Sequence, residues 1–520
     1  MPQAMPRLDA AAASWPRLLD RAAAVTPQTA AVAFYFALMT GTLVAVLGTT
    51  AGRLIYSLDD AYIHLALAER LAQGHYGINL GEITSPSSSV IWPFLMLLGA
   101  GTAAHQFVPL VLNTAFGAGT AWLLGRATNA LTLPAGLSSI AVACLLVLGT
   151  NLVGLAFTGL EHSLQVLLAV TVAVALIEHQ RGTMIPTWAL LAATLGPAVR
   201  YEMFAIVAAV VLVLLLERKW RTVLLVGAAS IALPALLAGF LVMNGNTPLP
   251  NSVMAKLHGG DPETAQLPWL QFILTSYLTS FMPKNLMLGI LLGLAYLVRS
   301  CSGASRTISL AALLAGLLHM TVGQFGWFNR YEIYAVAFCG LIAISRLAEL
   351  APRYVFPAAL CSASIYLSAL VATPYGARNI FEQQYQMHRF VQEHYRKPFA
   401  VNDLGWVSFG LDRNIYVLDL WGLASGEAMR QRIKNAAWLD GITQRHNTGL
   451  AIINTEWLRD IPPSWRKVGE LTISGPQASV ASRSVSFFAT RVGDRQAIVA
   501  GLTAFKPTLP AGSELTLALP

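Results

Sequence analysis

The chain has 520 residues, 55% of them apolar and 12% charged, with a mean hydropathy of +0.57, whereas an ordinary soluble domain carries roughly 25% charged residues. That contrast excludes a soluble globular enzyme. The formal net charge of +8 does not point to nucleic acid, because no run of five or more basic residues exists and the cations sit singly at the ends of apolar stretches, where membrane topology accounts for them.

Residues 1–374 hold 32 Lys, Arg, Asp and Glu, and residues 375–520 hold 28. A long membrane part therefore precedes a roughly soluble tail. Cys144, Cys301, Cys339 and Cys361 lie in apolar stretches or a short membrane loop, and the tail has no cysteine, so neither a disulfide framework nor a zinc knuckle is readable.

In chain order, residues 1–29 are Ala-rich with Arg7, Arg17 and Arg21 and are expected in the cytoplasm. The apolar run 30–51 is too long for a cleaved signal and reads as an anchor. Further apolar runs fall near 104–125, 135–155, 161–178, 184–199, 201–217, 222–243, 284–298, 307–327, 331–348 and 354–373, eleven in all. A candidate at 88–101 is short and is read as a juxtamembrane or re-entrant helix. With it left out, Arg126, Arg181, the cluster Arg218, Lys219 and Arg221, then Arg299, Arg306, Arg346 and Arg353 all fall on one side, the cytoplasmic side by the positive-inside rule.

The loops near Arg53, Phe157, Val199, Asn244, Gly326 and Thr373 then face outward, together with the tail. The tail reads as mixed α/β: short strands at Phe399–Asn402, Ile415–Leu418 and Leu450–Ile453, a helix at Gly426–Trp438 and a late strand at Ser484–Val492. The expected architecture is mainly α: a polytopic domain over 30–374 of about eleven spans plus juxtamembrane helices, followed by a C-terminal α/β domain over 375–520.

Ionisable groups near hydrocarbon are costly and mark function by default. In the outward loops they form a series. Asp59 and Asp60 precede an amphipathic helix that carries His64; as a structural alternative, Asp59 caps that helix. Glu161 follows Thr158, Gly159 and Leu160 at the next outer boundary. Arg200 with Tyr201 and Glu202 stands outside against the positive-inside tendency, which asks for an anionic partner: a ligand, or Glu202 or Glu161.

The loop from Asn244 holds Pro248, Pro250, Asn251 and then Lys256, a single cation on stiffened backbone that suits a phosphate. Arg330, Tyr331 and Glu332 repeat the Arg-Tyr-Glu order, with Tyr331 explicable as an interfacial anchor. Carboxylates and cations on one face are the inventory for moving a group from a phosphate ester to a hydroxyl: a base for the acceptor proton, cations for the departing phosphate. In the tail, Asp403 and Asp419 read as turn or cap residues, and the tryptophans as core.

The blocks Asp59-Asp60-Ala61-Tyr62-Ile63-His64, Gly74-His75, Thr84-Ser85-Pro86, Thr158-Gly159-Leu160-Glu161, Pro250-Asn251-Ser252 with Lys256, and Arg330-Tyr331 resemble, in order, those of GT-C integral membrane glycosyltransferases. The branch resembled most is that of mycobacterial terminal arabinofuranosyltransferases and other polyprenyl-phosphate-sugar enzymes. The resemblance implies a transferase using a polyprenyl-phosphate-linked sugar donor and an envelope glycan or glycolipid acceptor at the non-cytoplasmic face of the plasma membrane, with inversion. It implies Asp59 or Asp60 as general base, Glu161 shaping the site, Arg200, Lys256 and Arg330 on the donor phosphate, and His64, Glu202, Asn251, Tyr331 and Glu332 in support. No cofactor is expected and no metal is indicated, although Asp60 and Glu161 could share one. The sequence departs from related ones in having Arg200-Tyr201-Glu202 where an Arg-Pro-Glu block is common. The rival readings are a polytopic transporter or lipid flippase, suggested by the span count with Pro197 and Pro234, and an inactive envelope-assembly scaffold.

Overall fold

The computed structural model describes residues 25–131, 137–257, 278 and 280–518, without the side chains of 137, 138, 256 and 257. Among the described residues nine helices are long and apolar enough to cross a membrane, and Thr187–Val199 and Tyr201–Leu216 are shorter apolar helices. Together they answer to the eleven apolar runs. The first described helix, Pro27–Thr49, begins where sequence chemistry starts it: Thr26 accepts from the Thr29 N–H, and Pro27 occupies the first turn, where its missing N–H costs nothing. Its 23 residues extend about 35 Å, enough for a hydrocarbon core of about 30 Å.

Large apolar side chains stand exposed along these helices, among them Val44, Leu224, Leu236, Leu292 and Val371. A band of this extent suits lipid and not water. The 88–101 segment does not cross: it contains one short helix, Trp92–Leu95, followed by turns.

The two ends of the bundle differ. At one end Arg126 pairs with Glu178 at 2.7 Å, Lys219 with Glu217 at 2.7 Å, and Arg181 donates to the Ala130 carbonyl. At the other end the loops expected outside meet one another. Ser57 N–H donates to the Phe157 carbonyl, Val90 N–H to Ala198, Asn251 N–H to Ser85, and Asn151 Nδ2 to Phe328.

The tail folds as a six-stranded sheet of order β2-β1-β3-β5-β4-β6, with β1 Phe399–Val401, β2 Val417–Asp419, β3 Leu450–Ile453, β4 Arg466–Ile473, β5 Ser484–Ala489 and β6 Ser513–Leu517. The β2-β1-β3 part is parallel and the remainder antiparallel. Alternate side chains along a strand face opposite sides. Accordingly Phe399, Val401, Leu450 and Ile452 share a core with Phe487 and Leu502, while Ala400, Ala451 and Ile453 pack with Leu439, Ile442 and Trp465. The first of these cores is continuous with Ile63, Leu67, Ala198 and Leu241 of the helical part. The tail is therefore packed onto the bundle end, and the helix Val355–Glu382 runs into it without a break.

Five elements of the tail differ from expectation. The helix expected over Gly426–Trp438 is two, Gly426–Arg430 and Ala436–Arg445, because Asn435 accepts from the Trp438 N–H and starts a new helix. The late strand ends at Ala489, ahead of a 3-10 turn at Val492–Asp494. Strands β4 and β6 and the helix Arg495–Phe505 were not anticipated.

Candidate active site

The tail-facing end of the bundle gathers most of the expected residues into two linked groups. The inner group centres on Arg200, which follows the end of Thr187–Val199 in extended backbone. Its Nη1 donates to Glu161 Oε1 at 2.8 Å and to Ser88 Oγ at 3.3 Å, while Nη2 and Nε donate to the two oxygens of Glu202 at 2.7 and 3.2 Å. Arg200 and Glu161 are both buried, and His64 Nε2 stands 3.7 Å from Glu161 Oε2. The anionic partners that the outer-loop position of Arg200 asked for are thus Glu161 and Glu202 together.

The outer group centres on Arg330. It emerges from a turn in which Trp327, Phe328 and Asn329 all take left-handed backbone, with φ of 46°, 64° and 49°. That conformation costs roughly 1–2 kcal/mol per residue outside glycine, so surrounding contacts must hold it. Buried Glu332 does so through Oε2, which accepts from the Gly326 N–H at 3.0 Å, and the Arg330 N–H donates back to the Gly326 carbonyl. Arg330 Nη2 then donates to Asp60 Oδ2 at 2.6 Å and to the Tyr331 hydroxyl at 2.8 Å. Arg330 is only 4% exposed, yet among the described residues its Nε and Nη1 have no acceptor. The Tyr331 ring links the groups, with the guanidinium of Arg330 4.8 Å and that of Arg200 5.5 Å from its centroid, inside cation–π range.

The two adjacent aspartates have opposite surroundings. The Asp60 side chain is 43% exposed. Asp59 is buried, and its side chain makes no cap to its own helix. Its Oδ1 accepts instead from the Trp406 N–H of the tail at 2.7 Å, and Oδ2 is buried without a hydrogen-bond partner among the described residues. The Trp406 ring lies 3.7 Å from the Tyr62 ring, and Tyr62 OH accepts from the Tyr56 N–H. Burial, then the neighbouring Asp403, push the Asp59 carboxyl well above the usual carboxylate range, against the pull of the Trp406 amide.

Asp403 and Gln384 were not singled out as site residues. Gln384 Nε2 donates to Asp403 Oδ2 at 2.8 Å, and burial lifts Asp403 to about 6, with Asp60 and Asp419 adding to it. Asp403 reads from sequence as a turn or cap residue, and its place beside Asp59 and Asp60 follows only from a fold that joins distant parts of the chain; Gln384 enters as its hydrogen-bond partner. Asp419 is the turn residue expected, accepting from the Trp421 and Ala424 N–H groups.

Asn251 is drawn to the tail, where Nδ2 donates to the Gly422 and Leu423 carbonyls. Lys256 belongs to the helix Asn251–Leu257, but its side chain lies outside the described residues. Among the described residues no three His, Cys, Asp or Glu side chains are grouped to hold a metal ion.

A family model described as a domain of unknown function (DUF8728) matches residues 378–488, most of the tail. No curated protein matches the chain. Among solved structures, the oligosaccharyltransferase of Archaeoglobus fulgidus is 11% identical with a TM-score of 0.46, covering 92% of this chain and 75% of that one. ArnT from Cupriavidus metallidurans, bound to undecaprenyl phosphate, is 12% identical with a TM-score of 0.44, covering 88% and 98%. The mycobacterial arabinofuranosyltransferase AftD is 14% identical with a TM-score of 0.40, and the alignment covers 88% of this chain but 41% of AftD.

Proposed function

We propose that the chain is a GT-C-type glycosyltransferase that moves a monosaccharide from a polyprenyl-phosphate donor to an envelope glycan or glycolipid on the non-cytoplasmic face of the plasma membrane, with inversion. The observation that carries this reading is the Asp60–Arg330 pair: an exposed carboxylate held at 2.6 Å by a buried guanidinium with two nitrogens unspent. Its bundle end also carries the tail. The similar ArnT structure was solved with undecaprenyl phosphate, and a second similar structure, the Archaeoglobus fulgidus oligosaccharyltransferase AglB, with a dolichol-phosphate.

In this reading the donor phosphate takes the free Nε and Nη1 of Arg330, joined by Lys256, and draws Arg330 off Asp60. The released carboxylate accepts the proton of the acceptor hydroxyl as that oxygen bonds to the anomeric carbon. The anomeric C–O bond breaks with its electron pair leaving on the polyprenyl phosphate, an anion Arg330 stabilises. A phosphate leaves without a general acid, so one base suffices. Asp60 takes this role over Asp59 because a base must reach its proton, and Asp59 is enclosed by Gly405 and Trp406. Arg200 and Glu161 hold the site's shape through Tyr331.

The test is transfer of labelled sugar from a synthetic polyprenyl-phosphate donor by purified wild type, Asp60→Asn and Asp59→Asn. Loss of about 10²–10⁴-fold is expected for Asp60→Asn, with a smaller loss for Asp59→Asn. Full turnover by Asp60→Asn removes it as base, and activity with nucleotide sugars alone removes the donor assignment.

A further inference from the structure

Charge and apolar surface also meet away from the Asp60–Arg330 site, around Arg53. A cavity of about 350 Å³ opens beside the end of the Pro27–Thr49 helix, lined by Leu43, Leu47 and Leu110 together with Arg53, Tyr385 and Trp406. A second, more polar cavity of about 410 Å³ shares Arg53 and Tyr385 with it and adds Arg389. The leucines belong to helices whose neighbouring side chains Val44 and Phe107 are exposed on the apolar band. Arg53 is exposed, its guanidinium stands 5.5 Å over the Tyr385 ring, and among the described residues no carboxylate pairs with it. Arg389, by contrast, is engaged by Glu393, Gln386 and Thr508.

We infer that the joined cavities bind an anionic amphiphile, with a hydrocarbon tail among Leu43, Leu47 and Leu110 and a phosphate headgroup on Arg53. A neutral lipid would leave Arg53 unpaired, and a water-soluble anion would leave the leucine-lined part unfilled. A volume of this size suits a small ligand with a few placed polar groups. Asp60 and Arg330 do not line either cavity, so the site stands whatever becomes of the proposed transfer reaction. Trp406 connects the two places, since its N–H holds Asp59 while the residue forms part of this cavity's wall.

The experiment is native mass spectrometry of the full chain purified in detergent, with phosphatidylglycerol, phosphatidylcholine or inorganic phosphate added, on wild type, Arg53→Gln and Leu47→Trp. Phosphatidylglycerol adducts are expected on wild type, weakened about fivefold by Arg53→Gln, the worth of one cation against an anionic lipid, and lost when Leu47→Trp fills the cavity. Equal retention by Arg53→Gln, equal binding of phosphatidylcholine, or displacement of the lipid by inorganic phosphate overturns the inference. Thermal unfolding reports whether Leu47→Trp folds; if it does not, Arg53→Gln, a change at an exposed side chain, decides alone.

Discussion

The inner and outer groups of the site use the same chemistry, an arginine between acidic partners around one tyrosine ring, and differ in completeness. Around Arg200 all three guanidinium nitrogens have acceptors on Glu161, Glu202 and Ser88. Around Arg330 one nitrogen serves Asp60 and Tyr331 while two are buried without acceptors among the described residues. A buried guanidinium whose nitrogens all have acceptors fixes structure, and around Arg200 it does so although Glu161 Oε2 has no hydrogen-bond partner among the described residues. A buried donor left open is costly, so its persistence points to a ligand that completes it. Under the proposed function Arg200 serves as a structural centre and Arg330 as a binding one, although the sequence offered both as candidates for the donor phosphate.

The largest effect that would break the comparison is expected at Arg200. Arg200→Met leaves Glu161 buried and uncompensated, and a loss of about 3–5 kcal/mol of stability is expected in denaturation of the solubilised chain. A variant as stable as wild type would deny the inner group its structural role. Arg330→Met is expected to act the other way, lowering kcat/KM for the lipid donor about 10²–10³-fold with little change in unfolding midpoint, because its partner Asp60 is already open to water. A large drop in midpoint with activity retained would reverse the assignment.

The contrast between Asp59 and Asp60 is sharpened by Gly405. A Cβ there would stand 1.7 Å from Asp59 Oδ2, so Gly405→Ala is expected to cost about 1–3 kcal/mol. Asp59→Ala in the same chain should recover part of that, a coupling read from the four unfolding midpoints.

The smallest effect is a pH dependence. Asp403 is lifted from 3.8 to about 6 in the folded chain, so between those values the folded state holds a proton the unfolded state has released. Stability therefore falls as pH rises from about 4 to about 6, and the loss is complete above that. The unfolding midpoint should drop by a few degrees across that window, and less in Asp403→Asn. An unchanged slope in the variant would show that Asp403 does not face the aspartate pair.

How much was legible follows from how local each signal is. The helices were, because lipid demands long apolar runs and Pro27–Thr49 carries its own cap. Strand β4 was not: Arg466 and Lys467 begin it, and its register shifts between Lys467 and Gly469. The residues Asp59, Asp60, Glu161, Arg200 and Arg330 could be picked out as charges near hydrocarbon. Glu161 and Glu202 were legible as partners of Arg200, but the Arg330–Asp60 pair was not, since the two meet across 270 positions through a left-handed turn. Trp327 and Phe328 in that turn are types that disfavour the conformation, so only tertiary contacts reveal it.

By itself the sequence determined a bundle of apolar helices with a soluble tail and a gathering of charge at the loops expected on one side. Hydrocarbon admits only backbone whose hydrogen bonds are closed within the segment, and charge is excluded from it. Which of two adjacent aspartates faces the site was decided by tertiary structure alone. Successive residues on a helix point about 100° apart, so Asp59 and Asp60 look to different neighbours. The tail, packing Gly405 and Trp406 against the first, left the second open to water and to Arg330.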